Sequence, residues 1–344
     1  MCESAEGSYA VKRTRQPLVG IVTPVHNGER YLAECIESIL AQTYTNWRYS
    51  IVDNCSTDKT ASIAQQYAAR DKRIKCSKNP SFLSIIPNWN YAVNHLPPEA
   101  AYCKVVHADD WLFPECLERM VEAAEEHPDA GFIGSYRLDG RRVASDGIAC
   151  LPPVKGNAPV TAMNGKALCR RTFTRELAVF GTPSSILMRA ELVRRHAPLY
   201  DEAFVHADTE LLYRHLKHCD FAHVHQVLTA TRVHEESQSA TYTQKLATSI
   251  LEFYGMLKKH GPDYFSSDEF RVLRRSRRWE HYRFIARKVL RGGSGKLVAY
   301  HRAALKRMGE PLSIPRLLSA VVIECGFALI HPHETARRLA KPGV

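Results

Sequence analysis

The feature that most restricts this chain is a repeated switch between strand-like and helix-like apolar spacing over residues 18–126. Leu18–Val25 (LVGIVTPV) is an apolar run closed by a polar turn, which predicts a buried strand. Tyr31–Gln42 follows, with Leu32, Ile36, Ile39 and Leu40 on one helical face. Tyr49–Val52 predicts a second strand, and Ser56, Thr57 and Asp58 offer cap side chains for a helix through about Ala69. Ile74–Cys76, Asn88–His95 and Tyr102–Val106 continue as strand, helix and strand, and Pro114 opens a helix to about Glu126. Such alternation predicts an α/β/α sandwich with a mainly parallel sheet. In such sheets ligands bind at the C-terminal ends of the strands. Three polar clusters fall there: residues 24–29, 53–58 and 107–110.

The later chain reads differently. Residues 137–165 are rich in Gly, Pro and Arg and predict a long irregular loop. Phe180–Met188 resumes order, and Ala207–Leu216 predicts a helix with Asp208 near its N-cap. From about residue 240 the pattern is helical and basic. Residues 1–240 hold 27 Lys and Arg against 28 Asp and Glu, whereas residues 241–344 hold 20 against 8. All the excess positive charge therefore lies in the last third, which points to an anionic partner. The ten cysteines are scattered with no C-x-x-C pair, as expected for reduced thiols in a cytoplasmic protein. The polar first 17 residues predict no secretory signal. The longest weakly charged apolar run, Leu317–Ile330, is broken by Glu324 and is shorter than the roughly 20 apolar residues a spanning helix needs.

The clusters carry chemistry of a definite kind. Asp109 and Asp110 are adjacent carboxylates at a strand end. They repel each other unless a cation or hydrogen bonds compensate, so they mark either a hard divalent cation site or a solvated turn. Asp53 ends a strand and could accept a hydrogen bond from a base N–H or a ribose hydroxyl. Thr23–Glu29 is a strand-to-helix crossing whose backbone could face a nucleotide base, or an ordinary turn.

Read together, the stretches TPVHNGERYLAECIESILAQTY, IVDNCSTDKT, VVHADDWLFPECLERMV, GTPSSILMRAELVRRHAPLYDEAFVHADTELLYRHL and VLTATRVHEESQS resemble the inverting family 2 glycosyltransferases. The resemblance runs from about residue 17 to 240, with the five motifs in order. It implies a GT-A fold over 17–240, with a donor-binding half (17–135) and an acceptor half (136–240). A polar extension (1–16) would precede it and a basic helical region (241–344) follow it. It implies a nucleotide-sugar donor, a UDP-sugar foremost, held by Pro24, His26, Glu29, Asp53, Asn90, His107 and Asp109. A second aspartate common after the first is Asn54 here. The family's D-x-D reads His107-Ala108-Asp109, so Asp109 is the first choice for ligand to Mg²⁺ or Mn²⁺. His107 then contacts the ribose or the metal, and Asp110 anchors the loop or supports the metal ligands from behind. Asp208 corresponds to the family's general base, although Ala207 stands where many members have an acid. His234, in R-x-H with Arg232, would complete the metal shell or contact the diphosphate. The acceptor would be a saccharide or a lipid-linked saccharide.

Residues 271–290 set arginines beside Val272, Trp279, Phe284, Ile285 and Val289. This predicts either a solvated helix packed on the body or an interfacial helix on an anionic membrane surface. The nearest match to the Q-x-x-R-W motif of processive synthases, Arg275–Trp279, lacks the glutamine, so single-sugar transfer is expected. No helix-turn-helix, zinc or RNA-binding signature is present, and no specific nucleic-acid partner is expected. The first crossing has no G-x-G-x-x-G, which disfavours a dinucleotide oxidoreductase. An inactive nucleotide-sugar-binding module is one alternative, given His107, Asn54 and Ala207, and a nucleotidyltransferase-like enzyme, which would share donor and metal, is another.

Overall fold

The computed structural model describes residues 16–140, 142–144, 159–177, 180–232, 246–292, 295–331 and 333. β1 (Val19–Val25), α1 (Leu32–Leu40), β2 (Trp47–Asp53), α2 (Thr60–Arg70), β3 (Ile74–Lys78), α3 (Ile85–Val93) and β4 (Tyr102–Val105) alternate as expected. Next come β5 (Trp111–Leu112), α4 (Cys116–Glu126), β6 (Ala130–Asp139), β7 (Arg142–Ala144), β8 (Val160–Met163) and α5 (Gly165–Phe173). β9 (Ile186–Arg189), α6 (Ala190–Arg195), α7 (Ala207–His215) and β10 (Asp220–Thr231) complete the sheet region. Four helices end the described chain: α8 (Thr248–Tyr264), α9 (Ser267–Leu290), α10 (Gly295–Arg307) and α11 (Ile314–Ile330).

The ten strands among the described residues form one sheet in the order β3-β2-β1-β4-β9-β6-β10-β5, with β7 on β6 and β8 on β10. The long ladders β1–β2, β2–β3, β1–β4 and β6–β10 are parallel, and β5, β7, β8 and β9 are short antiparallel additions. Every residue of β1 is buried, as a central parallel strand covered on both faces requires. Pro24 sits inside that strand without disrupting it, because the β4 ladder stops at Val22. At Gly20 a β-carbon would come within 2.4 Å of Leu96 and 2.9 Å of Pro97, so only glycine lets the end of α3 close onto β1. One apolar layer joins α1, α2 and α4 to the sheet. The opposite layer joins α3, α5, α6, α7 and α8.

Several expectations change. The supposed loop 137–165 includes the end of β6, then β7 and β8; its apolar residues are spread too thinly to show the period. α3 starts at Ile85, before the expected Asn88, with Pro87 accommodated in its first turn. The residue at the N-cap of α2 is Lys59 rather than Ser56 or Asp58. Asp58 still accepts the Thr60 amide at 2.9 Å, while Ser56 turns to the Asn27 amide at 2.9 Å. In α9, Phe284 and Ile285 are core residues. Six of its arginines bond within the protein: Arg271 reaches Asp268, Arg274 and Arg278 reach Glu310, Arg277 reaches Glu280, and Arg283 and Arg287 reach Glu324. His234 lies outside the described residues.

Candidate nucleotide-sugar and metal site

The loops after β1 and β2 are laced to each other, and this sets the first wall of the site. Thr57 N donates to Asn27 Oδ1 at 2.9 Å, Gly28 N to Thr60 Oγ1 at 2.7 Å and Glu29 N to Asp58 Oδ2 at 3.0 Å. Glu29 returns the contact by accepting the Lys59 amide at 3.0 Å, so its carboxylate is occupied in holding the two loops together. Asn27 (φ 49°) and Cys55 (φ 57°) take left-handed backbone to make the turns. His26 stands exposed above them, and its Nδ1 lies 2.9 Å from Asn54 O. A carbonyl only accepts, so Nδ1 carries the hydrogen and Nε2 is left as an acceptor. Phe82, 61% exposed, meets the His26 ring edge-on at 4.9 Å between centroids.

Asp53 closes the floor. Its Oδ1 accepts the Ser56 amide at 3.1 Å, and its buried Oδ2 has no hydrogen-bond partner among the described residues. A buried carboxylate oxygen is costly to leave unsatisfied, so this one is suited to a ligand donor. Asn54 shows why an amide stands where a second acid is common. Its Nδ2 donates to Leu83 O at 2.8 Å, and its Oδ1 accepts from Leu83 N at 2.9 Å and Asn79 Nδ2 at 2.7 Å. A carboxylate could not make the first of these bonds.

The end of β4 supplies the second wall. His107, Asp109 and Asp110 each present a ligand atom, all within 4.8 Å of one another. Asp110 is 2% exposed, and neither carboxylate oxygen makes a close, well-aligned hydrogen bond among the described residues, although the Ser184 hydroxyl and the Arg232 amide approach it. Burial, and next the charge of Asp109, push its carboxyl up to about 6, against the pull of His107, the Ser184 hydroxyl and the Arg232 amide. Nε2 of His107 is also buried and has no hydrogen-bond partner among the described residues. Two hard oxygens and an imidazole nitrogen, orphaned together, fit a divalent cation. The anchoring of the loop falls to backbone: Asp110 N donates to His107 O at 3.0 Å, and His107 N donates to Ser184 Oγ at 3.0 Å. Arg232, at the end of β10, stacks its guanidinium 4.6 Å over Tyr31 and 4.8 Å over Trp111 and pairs with Glu34.

An aromatic bridge connects this wall to α7. Trp89 lies 4.8 Å from the His107 ring and 5.4 Å from the Tyr200 ring. Asn90 is 8% exposed, and its amide is spent on the Tyr200 backbone. Beyond Tyr200 the chain enters α7, with half-buried Asp208 in the first turn and its Oδ1 accepting the Thr209 amide at 2.9 Å. Glu252 fixes that entry by accepting the Val205 and His206 amides at 2.9 and 2.7 Å. Burial raises its carboxyl against these bonds, and the charge of Asp208 adds to the rise. Trp89, Asp110 as an orphan and Glu252 were not legible as a group. Trp89 stood next to Asn90, and Ser184 stood in a quoted motif, but Glu252 gave no sequence signal.

The sheet order, with polar loops gathered at the ends of β1, β2 and β4, defines a GT-A-type nucleotide-binding fold followed by a helical region. Residues 20–190 match the family described as Glycosyl transferase family 2, and the chain belongs to that family. It is 33% identical over 167 residues to EpsE of Bacillus subtilis (strain 168), whose name describes it as a glycosyltransferase; the match covers 48% of this chain and 59% of EpsE. The fold is similar to S. aureus TarS 1–349 in complex with UDP-GlcNAc, with a TM-score of 0.61 at 15% identity over 89% of this chain and 81% of that one. It is also similar to the mannosyltransferase PcManGT from Pyrobaculum calidifontis in complex with GDP-Man and Mn²⁺, with a TM-score of 0.53 at 14% identity over 94% of this chain and 83% of that one.

Proposed function

We propose that this glycosyltransferase moves one sugar from a nucleoside-diphosphate donor to a hydroxyl of a saccharide or lipid-linked saccharide, with inversion at the anomeric carbon. The observation that carries this reading is the buried orphan set of His107 Nε2 and the two Asp110 oxygens beside Asp109, across the sheet end from the orphan Asp53 Oδ2. Asp53 is matched to a base or ribose donor, and Pro24, His26 and Glu29 lie on the end of β1 and the loop beside it. A divalent ion, Mg²⁺ or Mn²⁺, would be held by His107, Asp109 and Asp110 and would neutralise diphosphate charge. His234 remains a proposed further ligand. A UDP-sugar is the first choice of donor; one fold neighbour is described with UDP-GlcNAc, and another with GDP-Man and Mn²⁺.

Asp208 is the proposed general base. The acceptor oxygen forms its bond to the anomeric carbon as the bond from that carbon to the diphosphate oxygen breaks. The electron pair leaves with the nucleoside diphosphate, and the hydroxyl proton passes to the Asp208 carboxylate. Trp89 and Asn90 set the base relative to the donor by gripping Tyr200. We further propose that the acceptor is met at the cytoplasmic face of an anionic membrane. The test of the donor reading is thermal shift with UDP-, GDP- and dTDP-sugars, with and without Mn²⁺. Stabilisation by one nucleotide, strengthened by the ion and lost in Asp53→Ala, is expected. No stabilisation by any of them would overturn it.

A further inference from the structure

No helix among the described residues is long and apolar enough to cross a membrane. α11 nevertheless presents apolar side chains to water along most of its length. Its inner side is core: Leu317, Ala320 and Val321 join Trp279, Tyr282 and Ala286 of α9. Its outer side carries Ile314, Leu318 and Val322, at 59, 60 and 70% exposure, and Leu329 at 83%. The first three are four residues apart and Leu329 lies seven further on, so they line one face. Ile323 and Ile330 widen the stripe at 47 and 74%. Single exposed apolar residues are ordinary, but a contiguous stripe marks an interaction surface.

Contacts between α9 and the α10–α11 region show that α9 and α11 run in the same direction. Arg274 meets Glu310, the Tyr282 hydroxyl accepts the Ser313 amide at 2.9 Å, and Arg283 and Arg287 meet Glu324. Their C-terminal ends therefore lie together. α9 ends on Val289 and Leu290, 44 and 48% exposed, so both helices finish in apolar tips. Lys288 and exposed Arg291 flank the α9 tip, and exposed Arg316 lies on the first turn of α11. Residues 267–330 hold 14 Lys and Arg against 5 Asp and Glu, and each of those five acids is already ion-paired.

Charge decides what covers the stripe. A second copy would bring two strongly cationic surfaces together, which opposes association. The chain after α11 contains Arg337, Arg338 and Lys341 against Glu334 and so adds to the same sign. An anionic leaflet satisfies both features at once, since apolar side chains enter the boundary between headgroups and acyl chains while cations meet phosphates. We propose that the outer face of α11, with the tip of α9, docks this protein onto an anionic lipid surface. This sharpens the membrane-side acceptor reading above, and rests on it for its purpose. It transfers the contact from the α9 arginines, largely engaged in the protein, to α11.

The test is co-sedimentation of the full chain with vesicles of phosphatidylcholine alone and of phosphatidylcholine mixed with phosphatidylglycerol. The wild type is expected to bind the mixed vesicles about tenfold more tightly, with binding weakened by salt. The double variant Leu318→Glu, Val322→Glu should lose about tenfold or more of that binding. Lys288→Glu with Arg291→Glu should remove the preference for phosphatidylglycerol. Unchanged vesicle binding in the apolar variant would overturn the proposal. So would a wild-type dimer, seen by sedimentation velocity, that the same variant dissolves. Nucleotide thermal shift on these variants separates the two readings: retained stabilisation with lost vesicle binding supports docking, and absent stabilisation in the wild type counts against the transferase site alone.

Discussion

Asn90 and Tyr200, far apart in sequence, are tied by a two-bond ring: Asn90 Nδ2 donates to Tyr200 O at 2.9 Å, and Tyr200 N donates to Asn90 Oδ1 at 2.7 Å. The ring fastens α3 to the approach to α7. On the function proposed above, this ring would have Asn90 position Asp208, while the sequence suggested a donor contact for it.

Asn90→Ala should therefore act on both stability and turnover. Leaving the Tyr200 amide and carbonyl buried without partners costs about 2–4 kcal/mol. Misplacing the base should lower kcat by about tenfold to a hundredfold, with donor affinity nearly unchanged. Asn90→Asp keeps the bond from Tyr200 N and should fall between. Denaturant unfolding and initial rates on the two variants check this; a rise in donor KM at constant kcat would return Asn90 to the donor site.

Asp208→Asn should keep the fold, because the side chain is half-buried and its bond to the Thr209 amide survives in the amide oxygen. Transfer should fall by about a hundredfold to ten-thousandfold, while nucleotide stabilisation persists. Full activity in this variant would refute the base assignment.

The donor half was legible because its strands are continuous apolar runs with helix signals between them, and β1 through β4 fall within a few residues of the expected limits. β6 and β10 were not legible. Each carries polar residues at its C-terminal end, where the sheet opens toward the site, and this blurs the alternation. At the site itself, the sequence singled out Asp53, His107 and Asp109. It undervalued Asp110, because only burial distinguishes an orphaned carboxylate from a solvated turn. Glu29 lies in the expected loop and Asn90 on α3, and the sequence could not show that neighbouring amides occupy their polar atoms.

Asp110→Asn tests the cation reading by opposite effects. In chelator, removing a buried charge that lies beside the Asp109 carboxylate and makes no close hydrogen bond among the described residues should stabilise the protein by about 1–3 kcal/mol at neutral pH. With Mn²⁺ and nucleotide, the variant should lose about tenfold or more in metal affinity. Thermal denaturation in both conditions gives the answer; a variant destabilised equally in each would make Asp110 a structural residue alone.

Glu210 gives the pH prediction. Its side chain is fully buried, 2.7 Å from Lys259 Nζ, 2.8 Å from His260 Nε2 and 3.1 Å from Arg214. Burial pushes its carboxyl up, but the bonds from His260 and Lys259 and the Arg214 charge outweigh this and bring it down to about 2. A carboxyl held below its unfolded value of 4.5 adds stability that is fully present above that pH and is lost as pH falls toward about 2. The displacement corresponds to about 3 kcal/mol at most. Glu210→Gln leaves three cationic or polar partners without their counter-charge, so it should destabilise strongly at pH 7. The gap between wild type and variant should then narrow between pH 4.5 and pH 2. Urea unfolding across that range checks it, and a gap that stays constant would mean that this carboxylate does not govern the acid limb. Because Glu210 shares the first turn of α7 with Asp208, two residues before it, the same variant should also slow transfer even where it remains folded.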